Sequence, residues 1–263
     1  MNNIGLIIFD IDGVIRDVTN SYRMAIQETV KEFCEWKPSI RDIDSIKSEG
    51  CWNNDWDLSL EMIKRHIKEK KLSISAPSRT KLISCFENLY FGGDPNQDSY
   101  NWSGFIKNET LLVRKKLFDE LTQQRIGWGF VSGAELPSAK YVLEQRLGLV
   151  SPPLIAMGEA PEKPDPEGFI SLSSKLSETP LGCYNHPIAY IGDTVADVKT
   201  VLNARIRIPK QKFLSLAIAP PHLYKNSNKE ERQSYEIKLR EAGTDMIIKS
   251  MDNLITQIVD LFA

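Results

Sequence analysis

The sequence predicts an α/β protein: a doubly wound parallel sheet with an α-helical domain inserted after its first strand. Three observations lead there. Short apolar runs alternate with amphipathic stretches through most of the 263 residues, as in strand–helix–strand crossovers. Two of these runs end abruptly in paired acids, Asp10 with Asp12 and Asp193 with Asp197. Residues 18–106 have an almost purely helical pattern, too long for an ordinary crossover. They read as an inserted domain, leaving 1–17 and 107–263 as the α/β core.

Leu6–Phe9 reads as a buried strand ending at Asp10, and Gly13 lets the chain turn sharply away. Tyr22, Ile26, Val30 and Phe33 recur at helical spacing over 21–36, and Pro38 stops that helix. A short helix is expected over 39–48. Residues 49–57, with Trp52, Asn53, Asn54 and Trp56 crowded together, read as a loop. Helices follow over 58–71 and 76–90, then a loop over 91–103. The core resumes with a helix over 111–124, a strand over 127–131 and a helix over 135–147. A small strand at 154–156, a helix over 167–176, a strand over 188–191 and a helix over 195–204 come next. The chain continues with a strand over 213–219, a polar helix over 229–242, a short strand over 245–249 and a last helix over 251–262. The segment 206–240 is longer and more polar than such a core requires.

Composition narrows the function. A net charge of −2 gives no general attraction to nucleic acid or anionic lipid. No run of 18 apolar residues suggests a membrane span, and no secretory leader pattern opens the chain. Four scattered cysteines without a C-x-x-C pair fit a reducing, cytoplasmic home. His66, His186 and His222 are not spaced as zinc ligands. Oligomeric state has no signature.

Four segments carry candidate chemistry. Asp10-Ile-Asp12-Gly13 ends the first strand, and ligands of open parallel sheets gather beyond the carboxyl ends of strands. Two close carboxylates repel, a problem that a divalent cation would remove. Ser132-Gly133 ends the second long strand; a hydroxyl and following N–H groups can bind phosphate. Lys163, between Glu162 and Pro164, is a cation on stiff backbone. Asp193 follows a buried strand and suits a hard cation, and Asp197 lies one helical turn on. Singly, each has a plain reading: an Asp-Gly turn, a Ser-Gly turn, a solvated lysine, a helix cap.

Together, D-x-D-G, S-G, K-P and G-D-x-x-x-D in this order resemble the four motifs of the haloacid dehalogenase superfamily. The helical insert lies where one subfamily has its cap. Val14 stands where Thr is usual, and Ala204-Arg205 where Ala-Gly is frequent; the latter turn is structural and leaves the chemistry intact. The resemblance implies that Asp10 is a nucleophile forming an aspartyl-phosphate and Asp12 a general acid–base. It implies Mg²⁺ held by Asp10, the Asp12 carbonyl and Asp193, with Asp197 ordering that shell. Ser132, Gly133 and Lys163 would hold the phosphoryl group. An acid at position 12 argues against the family's dehalogenases and phosphonate hydrolases.

The expected activity is hydrolysis of a small phosphorylated metabolite. A phosphomutase of the same fold is the alternative, and a non-hydrolytic phosphate-binding protein a third reading. Substrate choice falls to the insert, where Trp52, Asn53 and Asn54 offer an apolar face and paired donors and acceptors suited to a sugar or polyol; the two Trp, Trp52 and Trp56, could equally anchor packing within the insert. Arg16 could reach a second anionic group or be a surface or hinge residue. The substrate itself is not legible.

Overall fold

Gly5–Phe9 forms β1, the middle of a six-stranded, all-parallel sheet. The computed structural model describes residues 3–47, 49, 52, 54–183 and 186–262. In chain order β2 (Arg16–Asp17) leads out of the core, and β3 (Thr110–Leu111) leads back to it. The sheet continues with β4 (Ile126–Val131), β5 (Leu154–Ile155), β6 (Ile188–Gly192), β7 (Phe213–Ala217) and β8 (Met246–Ile247), in the order β5-β4-β1-β6-β7-β8. Leu6 lies opposite Gly127 and Ile188, and Phe9 opposite Phe130 and Ile191.

Side chains alternate across the sheet. Ile7, Phe9, Phe130 and Ile191 join one core, with Phe118, Val142, Leu143 and Leu254. Leu6, Ile8, Val131 and Tyr190 join the other, with Phe169, Leu172 and Val201. Burial on both faces is why the strands read as unbroken apolar runs. The covering helices are α5 (Lys115–Gln123), α6 (Leu136–Lys140), which runs into wider turns at Tyr141–Arg146, α7 (Glu167–Leu176), α8 (Val195–Arg207), α9 (Lys229–Glu241) and α10 (Leu254–Ile258).

Chain contacts define two compact units, Met1–Asp17 with Leu111–Ala263, and Val18–Thr110. The second holds α1 (Tyr22–Cys34), α2 (Ile40–Lys47), α3 (Asp55–Lys70) and α4 (Arg79–Phe91). Tyr22 stacks on Tyr90 at 4.2 Å between ring centres. The Ser21 and Tyr90 hydroxyls donate to buried Glu109 at 2.7 and 2.9 Å. This unit ends after residue 110 rather than 106, because the turn Phe105–Asn108 packs its buried Ile106 against α1 and α4.

Several boundaries differ from the sequence reading. Helix α3 starts at Asp55 rather than 58, because Asn54 caps it. Helix α5 starts at Lys115 rather than 111, because residues 110–111 are extended. The last helix is interrupted, with single turns at Met251–Asn253 and Val259–Leu261 on either side of α10. Among the described residues no helix is long and apolar enough to cross a membrane.

Candidate active site

The site grows from the carboxyl ends of β1 and β6. The chain runs from β1 to β4 and β5 on one side, then crosses to β6, β7 and β8 on the other, so the order reverses beside β1. Such a switch point opens a crevice for ligands. The Asp10 N–H donates to the Ile191 carbonyl at 2.8 Å, carrying the β1–β6 ladder to the acid itself. Asp10 Oδ1 accepts from the Ile11 N–H at 2.8 Å. Its Oδ2 lies 2.8 Å from Lys163 Nζ. Lys163 in turn lies 2.6 Å from Asp197 Oδ1 and 3.2 Å from the Tyr190 hydroxyl.

Asp197 is fixed on its other side by the start of α8. Thr194 is the N-cap, and its N–H and hydroxyl donate to Asp197 Oδ2 at 2.9 and 2.6 Å. The Asp197 N–H returns a bond to Thr194 Oγ1 at 3.3 Å. This reciprocal capping box places Asp197 one turn into the helix with both oxygens engaged. Two glycines are required by the close approach. A Cβ on Gly13, at φ +75°, would lie 2.1 Å from Asp193 Oδ2, and one on Gly192 would lie 2.3 Å from the Asp197 side chain.

Carboxylate oxygens of Asp10, Asp193 and Asp197 lie within 4.8 Å of one another. Burial raises the Asp10 carboxyl to about 7, with Asp197 and Asp12 adding to the effect and Lys163 opposing it. Burial, then Asp197 and Asp10, push Asp193 well above the usual carboxylate range. Asp197 resists the same burial and stays low, because Lys163 and Thr194 favour its anion. Burial also opposes the Lys163 charge, yet Asp10 and Asp197 outweigh it and hold the ammonium well above its ordinary value. The cluster is thus short of positive charge and offers only hard oxygen donors. A small divalent cation such as Mg²⁺ fits it, with Asp10 and Asp193 the carboxylates whose ionisation is least compensated.

Ser132, nearly buried at the end of β4, accepts the Ala134 N–H at 3.1 Å, which curls the chain. Gly133 has open space where a side chain would stand. Asp12 is partly exposed and paired with Arg16. Arg16 is wholly buried, bonded to Asp12 and Ser138, so its guanidinium is engaged inside the protein rather than presented to a ligand.

The candidates of the insert lie in the helical unit. Asn54 accepts the Trp56 and Asp57 N–H groups as the cap of α3. The Trp52 indole donates to Glu49 at 2.9 Å under Arg65, and those two partners hold the Glu49 carboxyl down at about 2. Asn53 and Cys51 lie outside the described residues.

Three participants have no sequence signal as members of the site. Tyr190 sits inside an ordinary strand run, yet its hydroxyl touches Lys163 and donates to the Val131 carbonyl at 2.9 Å. Ser138 lies mid-helix. Tyr235, in the polar 206–240 segment, donates its hydroxyl to the Asp193 carbonyl at 2.9 Å. Thr194 did carry a signal, a Thr three residues before an acid.

The family model of haloacid dehalogenase-like hydrolases matches residues 4–205. The chain belongs to this family. As a haloacid dehalogenase-like hydrolase it is 32% identical over 194 residues to an imidazoleglycerol-phosphate dehydratase of Phytophthora nicotianae, a match covering 73% of this chain. It spans only 40% of that relative's length. Among solved structures it is similar to a phosphonoacetaldehyde hydrolase-like protein from Oleispira antarctica, at TM-score 0.69 and 15% identity over 100% of this chain and 95% of the other. It is also similar to a predicted phosphoglycolate phosphatase from Haemophilus somnus 129pt, at TM-score 0.65 and 16% identity over 96% of each chain. Identities this low speak to the fold alone.

Proposed function

We propose that this hydrolase is a Mg²⁺-dependent phosphomonoesterase acting on a small metabolite through an aspartyl-phosphate. The observation that carries the reading is the ion chain Asp10–Lys163–Asp197 at the strand ends, beside an acid, Asp12, that touches neither Lys163 nor Asp197 and is partly open.

The residues divide the work as follows. An Asp10 carboxylate oxygen attacks phosphorus, and the bond from phosphorus to the ester oxygen breaks. Asp12, as the general acid, passes a proton to that departing oxygen. Water then attacks the aspartyl-phosphate and leaves its proton on Asp12, while the bond from phosphorus to Asp10 breaks. Alcohol and inorganic phosphate depart, and both acids regain their first state. Dividing one displacement into two lowers each barrier. Lys163, the Ser132 hydroxyl and the N–H of Gly133 bind the phosphoryl oxygens, and Asp197 and Tyr190 hold Lys163 in place. Asp10, the Asp12 carbonyl and Asp193 would hold Mg²⁺, which would supply charge neutralisation of the phosphoryl oxygens.

The helical unit is read as a cap that selects the substrate. Two names point to its class: one similar structure is a predicted phosphoglycolate phosphatase, and the curated relative is named for imidazoleglycerol phosphate. A compact phosphate ester of an acid or polyol is the reading they favour.

The test is phosphate release from a panel of such esters, with Mg²⁺ and with EDTA, beside Asp10→Asn. Metal-dependent release that the variant loses by at least about 10⁴-fold is expected. No release from folded, Mg²⁺-loaded protein overturns the reading.

A further inference from the structure

We propose that Arg16 is the positioning residue of Asp12, a role that rests on the phosphomonoesterase reading above. Arg16 is the largest of the fully buried side chains, with no exposed surface. A guanidinium stays charged and is costly to bury unless paired. An apolar side chain of similar volume would fill the space at lower cost, so packing alone does not account for an arginine here.

Its partners do. Arg16 Nε donates to Asp12 Oδ1 at 2.6 Å, and Nη1 donates to the Ser138 hydroxyl at 2.8 Å. Ser138 is itself fully buried on α6. The main chain closes the same loop, since the Gly13 N–H donates to the Arg16 carbonyl at 2.9 Å, and Asp12 and Arg16 form a β-bridge. Arg16 thus folds the loop back on itself and grips the carboxylate at its mouth. Asp12 Oδ1 is drawn inward, while the side chain as a whole keeps 29% exposure, leaving the other oxygen for the substrate.

The role follows from what Asp12 must do. It places a proton on the departing oxygen and later takes one from water, along two lines of approach. A freely rotating carboxylate would miss both, and a misplacement of about 1 Å costs roughly 10²-fold. Arg16, anchored by Ser138, removes that rotation. It does not touch substrate.

The experiment compares 4-nitrophenyl phosphate, whose leaving group needs no proton, with glycerol phosphate, whose leaving group does. In Arg16→Met, nitrophenolate should appear in a burst stoichiometric with enzyme, followed by turnover at least about tenfold slower than wild type. Glycerol phosphate should give no burst, with kcat down about 10²-fold and KM within about twofold. Ser138→Ala, which leaves the arginine in place, should shift both readouts the same way by about threefold. In an Asp12→Asn background, Arg16→Met should add nothing. If Arg16→Met does not fold, Arg16→Lys and Ser138→Ala carry the same comparison. Equal losses on both substrates without a burst, or no loss in any variant, overturn the role of Arg16 alone. A wild-type protein that releases no phosphate overturns the phosphomonoesterase reading, and this role with it.

Discussion

Strands β1 and β6 end alike, each in two acids, but the two ends are balanced differently. After β1 both acids have a cation: Lys163 lies 2.8 Å from Asp10, and Arg16 lies 2.6 Å from Asp12. After β6, Asp197 shares Lys163 and is capped by Thr194. Asp193 has no cation within ion-pair distance among the described residues. Four acids against two cations leave two negative charges over, and burial makes that surplus costly. At the β1 end each acid has a cation beside it, although burial still raises Asp10; at the β6 end Asp193 has none among the described residues. Under the proposed function, Asp10, which would both react and bind the metal, is already held by Lys163, while Asp193 is the carboxylate left for the cation.

Removing the cation the two ends share should have the largest effect. Lys163→Met leaves Asp10 and Asp197 buried without a counter-charge. Phosphate release should fall about 10²–10³-fold, and stability by about 3–5 kcal/mol, both readable from turnover and denaturant melts. Retained activity would mean that the ends do not work through Lys163.

Gly13→Ala attacks the contact between the ends. Its Cβ would meet Asp193 Oδ2 at 2.1 Å, on backbone at φ +75°. A loss of about 1–3 kcal/mol and weaker Mg²⁺ affinity by calorimetry are expected, and unchanged metal affinity would show that Asp193 is free to move.

The charge surplus predicts a pH dependence. Asp10 is raised from its ordinary 3.8 to about 7, so between those values the folded, cation-free protein holds a proton that the unfolded chain has lost. Its contribution to stability is full at low pH and is lost as pH rises through about 7. Mg²⁺ should therefore raise the Tm more at pH 8, by about 5 °C, than at pH 5. An equal shift at both would place the cation elsewhere.

The smallest effect belongs to the helical unit. Asn54→Ala removes the α3 cap and should cost about 1 kcal/mol, with kcat/KM within about twofold. A tenfold rise in KM would instead make Asn54 a substrate ligand.

Much of this was legible because strand ends advertise themselves. An apolar run that stops at an acid or a Ser-Gly marks a position in the fold, and Asp10, Lys163, Asp193 and Asp197 do converge. The less visible partners act across the fold. Tyr190 is written as one more strand residue, and nothing near Arg16 in the chain announces Ser138, which pairs with it 122 positions on. The start of α3 does carry a signal: Asn54 followed by Asp55 and Asp57 is a cap with an acidic first turn, obscured in the sequence by the neighbouring Trp residues. Trp52 and Trp56 say less, because an aromatic serves packing, a cation or a sugar equally well.

The sheet order has a consequence for biosynthesis. β1 pairs only with strands that begin at Ile126 and Ile188, so the segment bearing Asp10 leaves the ribosome long before either neighbour exists. The helices of 18–110 are contiguous and find their partners locally. Local contacts form fast and distant strand pairings slowly, so the helical unit is expected to fold first, while the apolar strand at its head waits unpaired and exposed to aggregation. The part of the chain translated earliest among these is the part buried last.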